Sequence, residues 1–166
     1  MAENPDDSGR SNEWAALKAD YLRPLGERAV SAGDGVHHFA LVCRDIERTI
    51  RFYQELLEFP LVELFENRDY PGSTHLFFDV GHDNYLAFFD FPGLELGPYA
   101  EVLGGLHHVA ISVSPEQWTR LVAKLEAAGI KPYLVGGASA YFPGPDGERV
   151  ELVALPLNNM YGTTVA

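Results

Sequence analysis

Two His-His pairs and one glutamate are the residues in this chain best suited to bind a metal ion. The pairs stand at 37–38 and 107–108, each at the start of an apolar segment, and Glu151 lies inside the apolar segment 149–155. A carboxylate in such a segment is costly unless it is paired or bound to a metal. Two neutral imidazoles and one carboxylate that converge and leave coordination positions open suit Fe(II), and Mn, Ni or Zn can occupy similar sites.

The two-residue period of a β-strand predicts which histidine of each pair points toward a common space. His38 shares a strand face with Ala40, and His108 shares one with Ala110, whereas the alternate apolar residues face a helix. The small alanines leave room beside the second histidine of each pair. The first histidine falls on the helix side at the start of its strand, where a fringe or capping role is expected.

The segments after the two pairs follow one pattern, and this pattern predicts the fold. Each pair is followed by a helical stripe and then by three apolar runs, and the second helix begins with the capping box at 114–117 and ends at Gly129. Pro-Asp-Gly at 145–147 predicts a turn between the last two strands. The expected fold is α+β, with two tandem βαβββ modules that form a curved mixed sheet around a metal-binding cavity.

These patterns divide the chain into five parts. They are an N-terminal tail with a short helix, a first module, a Gly/Pro-containing linker, a second module and a C-terminal tail: 1–34, 35–92, 93–105, 106–156 and 157–166. The N-terminal helix, with its stripe of large apolar residues, is expected to dock on the modules or on a partner subunit. The C-terminal tail is expected either to cover part of a cavity or to fray.

The paired modules, each beginning His-His-x-Ala and the second ending Pro-Asp-Gly-x-x-x-Glu, resemble the vicinal oxygen chelate superfamily over about residues 35–156. That superfamily includes glyoxalase I, extradiol ring-cleaving dioxygenases, fosfomycin-resistance thiol transferases, methylmalonyl-CoA epimerase and bleomycin-binding proteins. The resemblance implies one divalent metal ion per chain, with His38, His108 and Glu151 as ligands. It favours Fe2+, with Mn2+, Ni2+ or Zn2+ as alternatives.

Departures from the family pattern narrow the implied reaction. Aligning the module ends at Pro92 and Pro156 places Ala87 opposite Glu151, where glyoxalase I and the epimerase use a fourth ligand. Ala40 replaces the threonine of the thiol transferases. Tyr141 matches the active-site tyrosine of the extradiol enzymes, although their upstream histidine is absent from 132–134.

His75 and Tyr141 are the candidates for moving or holding a proton. The same alignment places His75 opposite Ser139, on the strand face of Tyr141. A histidine titrates near neutrality and a phenol near pH 10, so His75 is the better proton shuttle and Tyr141 the better donor to an oxyanion. Both residues also have a structural reading, as a core histidine and a core aromatic.

Two classes of function remain open. The favoured class is a metal-dependent enzyme that chelates a small substrate through adjacent oxygens, with dioxygenase-type chemistry ahead of a lyase or isomerase reaction. The alternative is a non-catalytic drug-binding protein of the bleomycin-resistance type, which would not need the ligand set. A homodimer is expected by resemblance, and whether a site is formed within one chain or shared by two stays open.

Composition limits the partners and the compartment. A net charge of −12 argues against nucleic acid, because phosphate binding needs clustered Lys and Arg. No apolar run approaches the length of a membrane span. One cysteine among 166 residues excludes an internal disulfide, so a cytoplasmic location is expected.

Overall fold

The computed structural model describes residues 9–166, so the first eight residues of the predicted N-terminal tail lie outside it. The helices are α1 (Ser11–Tyr21), α2 (Ile46–Ile50), which continues as a π-helical turn (Arg51–Leu56), and α3 (Pro115–Ala127), and a 3-10 turn spans Leu25–Glu27. The strands are β1 (His38–Val42), β2 (Leu61–Glu66), β3 (Thr74–Asp79), β4 (Tyr85–Phe89), β5 (Val109–Ser112), β6 (Tyr133–Val135), β7 (Ser139–Pro143), β8 (Arg149–Val153), β9 (Asn159–Met160) and β10 (Thr163–Thr164).

The two predicted βαβββ modules are confirmed by the strand order. The first module forms a four-stranded sheet in the order β1-β4-β3-β2, and the second repeats it as β5-β8-β7-β6. In each sheet the first and last strands of the module pair in parallel and the others pair antiparallel. Both sheets are therefore mixed, as expected for a strand that returns beside its module's start after a helical crossover.

Local signals set the helix starts as the sequence predicts. Ser114 and Gln117 form the reciprocal capping box of α3, with Pro115 at the first helical position. Asp45 caps α2 by accepting a hydrogen bond from the backbone N–H of Arg48. These caps fix where each helix begins to cross back over its own sheet.

One hydrophobic core serves both modules. Buried side chains from the helices and sheets of both halves form a single cluster, and Tyr53 of the π-helical turn is completely buried in it. The hydroxyl of Tyr53 donates to Oε1 of Glu148, which precedes β8 and is 6% exposed. Burial raises the pKa of Glu148, and the hydrogen bond from Tyr53 opposes that rise.

The two sheets remain separate within one chain. Among residues 9–166, β1 and β5 each pair with one strand only, so each module begins on an edge strand. Phe39 and Val42 of β1 are each 47% exposed. Unpaired, apolar edges of this kind are sites for pairing with another strand.

The predicted linker contains no helix or strand from 90 to 108, and the predicted short N-terminal helix is present as α1. α1 buries none of its residues: Trp14, Leu17 and Tyr21 are 39%, 47% and 78% exposed. The apolar stripe of α1 is thus largely exposed in the single chain, and the docking of this helix on the modules or on a partner subunit stays a prediction. Within residues 9–166, no helix is both long and apolar enough to cross a bilayer.

Candidate functional site

His108 and Glu151 meet on the exposed face of the second sheet. The parallel pairing of β5 with β8 sets Ala110 opposite Glu151, and His108 lies two residues earlier on the same face. Nε2 of His108 is 3.2 Å from Oε2 of Glu151, whose side chain is 4% exposed. With metal–ligand bonds of about 2.0–2.2 Å, two ligands of one ion lie about 3–3.5 Å apart, so this pair fits two of the three predicted ligands.

Tyr141 completes a polar group on three adjacent strands. It lies opposite Glu151 across the β7–β8 ladder, and its ring packs edge-on against His108 with 5.7 Å between centroids. Burial raises the pKa of Tyr141 to about 12, and the hydrogen bond and negative charge of Glu151 add to that rise. The phenol therefore keeps its proton at neutral pH and is a hydrogen-bond donor.

A chain of polar contacts leads from His108 to the linker. Nδ1 of His108 lies 2.7 Å from Nδ1 of His107, and Nε2 of His107 lies 3.0 Å from Nη1 of Arg149. Nη2 of Arg149 is 2.6 Å from Oε1 of Glu101. The first histidine of this pair is thus bonded to the predicted ligand, where the sequence suggested only a fringe or capping role.

A cavity of about 790 Å³ opens beside these residues. Tyr99 of the linker, Lys131 ahead of β6 and Tyr161 of the C-terminal hairpin contribute to its wall. The C-terminal tail therefore covers part of a cavity, which is one of its two predicted roles. Tyr161 lies in the tight turn between β9 and β10, where Tyr161 and Gly162 have positive φ of 50° and 89°. The volume suits a small molecule.

His38 and His75 lie together in the first sheet, with 6.3 Å between ring centroids. His75 stacks on Phe89 at 3.8 Å and packs edge-on against Phe65. Its Nε2 is buried and has no hydrogen-bond partner within residues 9–166. Burial lowers the pKa of His75, and the neighbouring His38 lowers it further. His38 makes the same contact as His108 does in the second sheet: Nδ1 of His38 lies 2.8 Å from Nδ1 of His37.

Ala87 occupies the position in the first sheet that Glu151 occupies in the second, as the alignment of the module ends predicts. In the first sheet Ala87 pairs with Ala40 and Phe77, as Glu151 pairs with Ala110 and Tyr141 in the second. Ala87 is fully buried, and its methyl group cannot bind a metal.

The structure brings His108, Glu151 and Tyr141 together and leaves His38 and His75 on the other sheet. Within residues 9–166, no group of three His, Cys, Asp or Glu side chains is placed to hold a metal ion. A single chain therefore presents two parts of the predicted site, one on each sheet.

Sequence reasoning missed three residues around the second part. Arg149 was detectable, since strand alternation already placed it on the face of Glu151. Glu101 and Tyr161 belong to the linker and the tail, where no periodicity indicates a direction, and only tertiary structure brings them to the cavity.

Residues 35–152 match the family described as the Glyoxalase/Bleomycin resistance protein/Dioxygenase superfamily. The match spans more than half of the sequence, so the chain belongs to this superfamily. The resemblance drawn from the repeated modules is confirmed.

Bacillus subtilis has a relative of this chain. The chain is 31% identical over 102 residues to MhqE of Bacillus subtilis (strain 168), by its name a candidate ring-cleaving dioxygenase. That match covers 58% of this chain and 32% of MhqE, so this chain spans about a third of the relative's length.

Solved structures show the same fold. A glyoxalase family protein from Enterococcus faecalis is 26% identical, with a TM-score of 0.58 over 72% of this chain and 97% of that protein. The fosfomycin resistance protein FosX of Listeria monocytogenes, solved with Mn(II) and a dihydroxypropylphosphonic acid, is 20% identical, with a TM-score of 0.55 over 75% of this chain and 94% of FosX. FosX thus binds a divalent metal on a fold that this chain shares.

Proposed function

We propose that this protein is a divalent-metal-dependent enzyme that acts on a small substrate with two adjacent oxygens, by dioxygenase-type chemistry. The contact between Nε2 of His108 and Oε2 of Glu151, at 3.2 Å and with Tyr141 against the same histidine, carries the proposal. The 31% identity to MhqE supports the reaction type. Ala87 supports it as well, because it leaves the position of a fourth protein ligand open.

His108, Glu151 and His38 would hold the metal, with Fe2+ favoured. The ion would supply Lewis-acid stabilisation of the negative charge that develops on the chelated oxygens. Tyr141, which keeps its proton, would donate a hydrogen bond to such an oxygen. His75 would move a proton, because its Nε2 is buried and has no hydrogen-bond partner among residues 9–166.

A second copy of the chain would complete each site. His38 lies on a different sheet from His108 and Glu151, and both β1 and β5 offer unpaired edges among the described residues. Pairing these edges between two chains would cover the exposed side chains of Phe39 and Val42. We therefore propose a homodimer in which His38 of one chain faces His108 and Glu151 of the other.

Metal content and oxygen consumption test the enzyme proposal. Protein purified without oxygen should contain about one iron per chain by elemental analysis and should consume oxygen with members of a catechol panel. Bound metal without oxygen uptake on any catechol would reject the dioxygenase assignment and favour the lyase or isomerase alternative. Absence of bound metal after incubation with Fe2+, Mn2+ and Zn2+ would reject the enzyme proposal.

Mixing two inactive variants tests the shared site. His38→Ala and Glu151→Ala chains, unfolded and refolded together, should recover activity, because half of the sites in mixed dimers would carry all three ligands. His82→Asn is the matched control, since His82 lies in a turn outside both parts of the site. No recovery in the mixture, or a monomer by light scattering at micromolar concentration, would contradict the shared site.

A further inference from the structure

We propose that Arg149, acting through His107, holds His108 in the tautomer that cannot bind a metal, and that metal binding breaks the bond between Arg149 and His107 while Arg149 stays on Glu101. The proposal rests on the proposed function in taking Nε2 of His108 as the metal-binding atom. His107, Arg149 and Glu101 are then positioning residues.

The hydrogen bonds between these side chains determine where the ring protons lie. A guanidinium only donates, so Nε2 of His107, 3.0 Å from Nη1 of Arg149, must accept. The single proton of a neutral His107 ring is therefore on Nδ1 and is donated to Nδ1 of His108, 2.7 Å away. His108 must then carry its proton on Nε2, the atom that faces Glu151.

Metal binding at His108 requires the opposite arrangement. A metal needs the lone pair of Nε2, so the proton of His108 must lie on Nδ1 and be donated to His107. The proton of His107 then lies on Nε2, which can no longer accept from Arg149. Each ring holds one proton before and after: one is lost from Nε2 of His108, one is gained at Nε2 of His107, and one crosses between the two Nδ1 atoms.

Glu101 is placed to receive the rearranged bond. Its Oε2 lies 3.8 Å from Nε2 of His107, while its Oε1 already binds Arg149. A small shift lets the carboxylate accept from His107 and retain the arginine. A carboxylate behind a metal-binding histidine fixes the tautomer and raises the basicity of the ligand.

The first module has no equivalent of this control. Its pair has the same Nδ1–Nδ1 contact of 2.8 Å, and no arginine bond to His37 occurs among the described residues. The pair is therefore free to place the proton of His38 on Nδ1, with Nε2 open. His38 is ready for metal, whereas His108 must first displace Arg149.

Histidine tautomers test the first half of the proposal without any activity measurement. Long-range 1H–15N correlation spectra of the metal-free protein should show the proton of His108 on Nε2 and that of His107 on Nδ1. Addition of Zn2+ should reverse both. A metal-free His108 with its proton already on Nδ1 would overturn the proposal.

A double-mutant cycle tests whether Arg149 acts through His107. Arg149→Met should tighten Zn2+ binding in calorimetry by about 10-fold, the lower end of outer-sphere effects on metal affinity. Lys131→Met, which removes a positive charge from the same cavity wall, gives the size of the simple charge effect. In the His107→Phe background, Arg149→Met should have no more effect than Lys131→Met.

The outcomes separate this proposal from the proposed function. An equal effect of Arg149→Met with and without His107 means that Arg149 acts by charge alone, which overturns the proposal while the metal site stands. If the wild-type protein binds no Zn2+, the metal site is wrong, and the metal-free spectra still decide whether Arg149 sets the tautomer of His108.

Discussion

The two modules share one register but place different chemistry at equivalent positions. Ala110, Glu151 and Tyr141 line up across the second sheet, where the first sheet has Ala40, Ala87 and Phe77. The second module therefore supplies a carboxylate and a phenol at positions where the first supplies a methyl group and a phenyl ring.

Two residues before Phe77 and Tyr141, the side chain able to carry a proton is in the first module instead. The first module has His75 where the second has Ser139, the residue opposite it in the alignment, and His75 is enclosed by aromatic rings. Thus the candidate ligands His108 and Glu151 lie on the second sheet, and His75, the candidate proton carrier, lies on the first. The comparison teaches that the repeat gives both sheets one strand register, and that divergence within it places different side chains at matched positions.

Replacing Glu151, which has no counterpart in the first module, should have the largest effect, and this effect is on metal affinity. Glu151→Gln keeps the shape but lacks the charge that binds a metal ion, so we expect metal affinity to fall by at least about 100-fold, the upper end of outer-sphere losses. Elemental analysis after dialysis measures the change. Glu126→Gln on the exposed face of α3 is the control, and unchanged metal content in Glu151→Gln would show that this residue is no ligand.

His75→Ala tests whether the first module contributes the proton carrier. Turnover should fall by about 10²- to 10⁴-fold, with metal content unchanged, because a general acid–base group contributes about that factor. His82→Asn should retain wild-type turnover. A collapse in Tyr141→Phe with turnover preserved in His75→Ala would reverse the two roles, and full activity in both variants would remove both from the reaction.

Tyr53→Phe probes the contact between the modules and should have the smallest effect. Loss of the donor to buried Glu148 should lower the free energy of unfolding by about 1–3 kcal/mol in urea denaturation at pH 7. The Tyr53 hydroxyl lowers the pKa of Glu148, so in the variant this pKa rises further in the folded state.

The sign of the pH dependence follows from that shift. A carboxyl whose folded pKa is raised favours folding below its unfolded pKa and loses that contribution as the pH rises through the folded pKa. The variant should therefore be closest to wild type at about pH 4 and furthest from it at pH 7. A difference that is independent of pH would mean that Tyr53 contributes packing alone.

Much of the fold could be predicted because its signals are local. The capping box at 114–117, the Pro-Asp-Gly turn and the alternation of the strands all depend on neighbouring residues. These signals predict the two modules and place Arg149 on the strand face of Glu151, whereas the position of Tyr141 opposite Glu151 is a finding of the structure. Docking of α1 was not predictable in this way, because an apolar stripe indicates that a surface is needed without indicating which one.

The sequence by itself determined which residues share a strand face, since side chains alternate with a period of two along any strand. It therefore determined that His108 shares a strand face with Ala110 and that Glu151 shares one with Arg149, and the alignment of the module ends placed Ala87 opposite Glu151. Only the tertiary structure decided which strands are neighbours and which sheets are joined. That is why the 3.2 Å contact of His108 with Glu151, the separation of His38 from both, and the bond from Arg149 to His107 depend on segments that are distant in the chain.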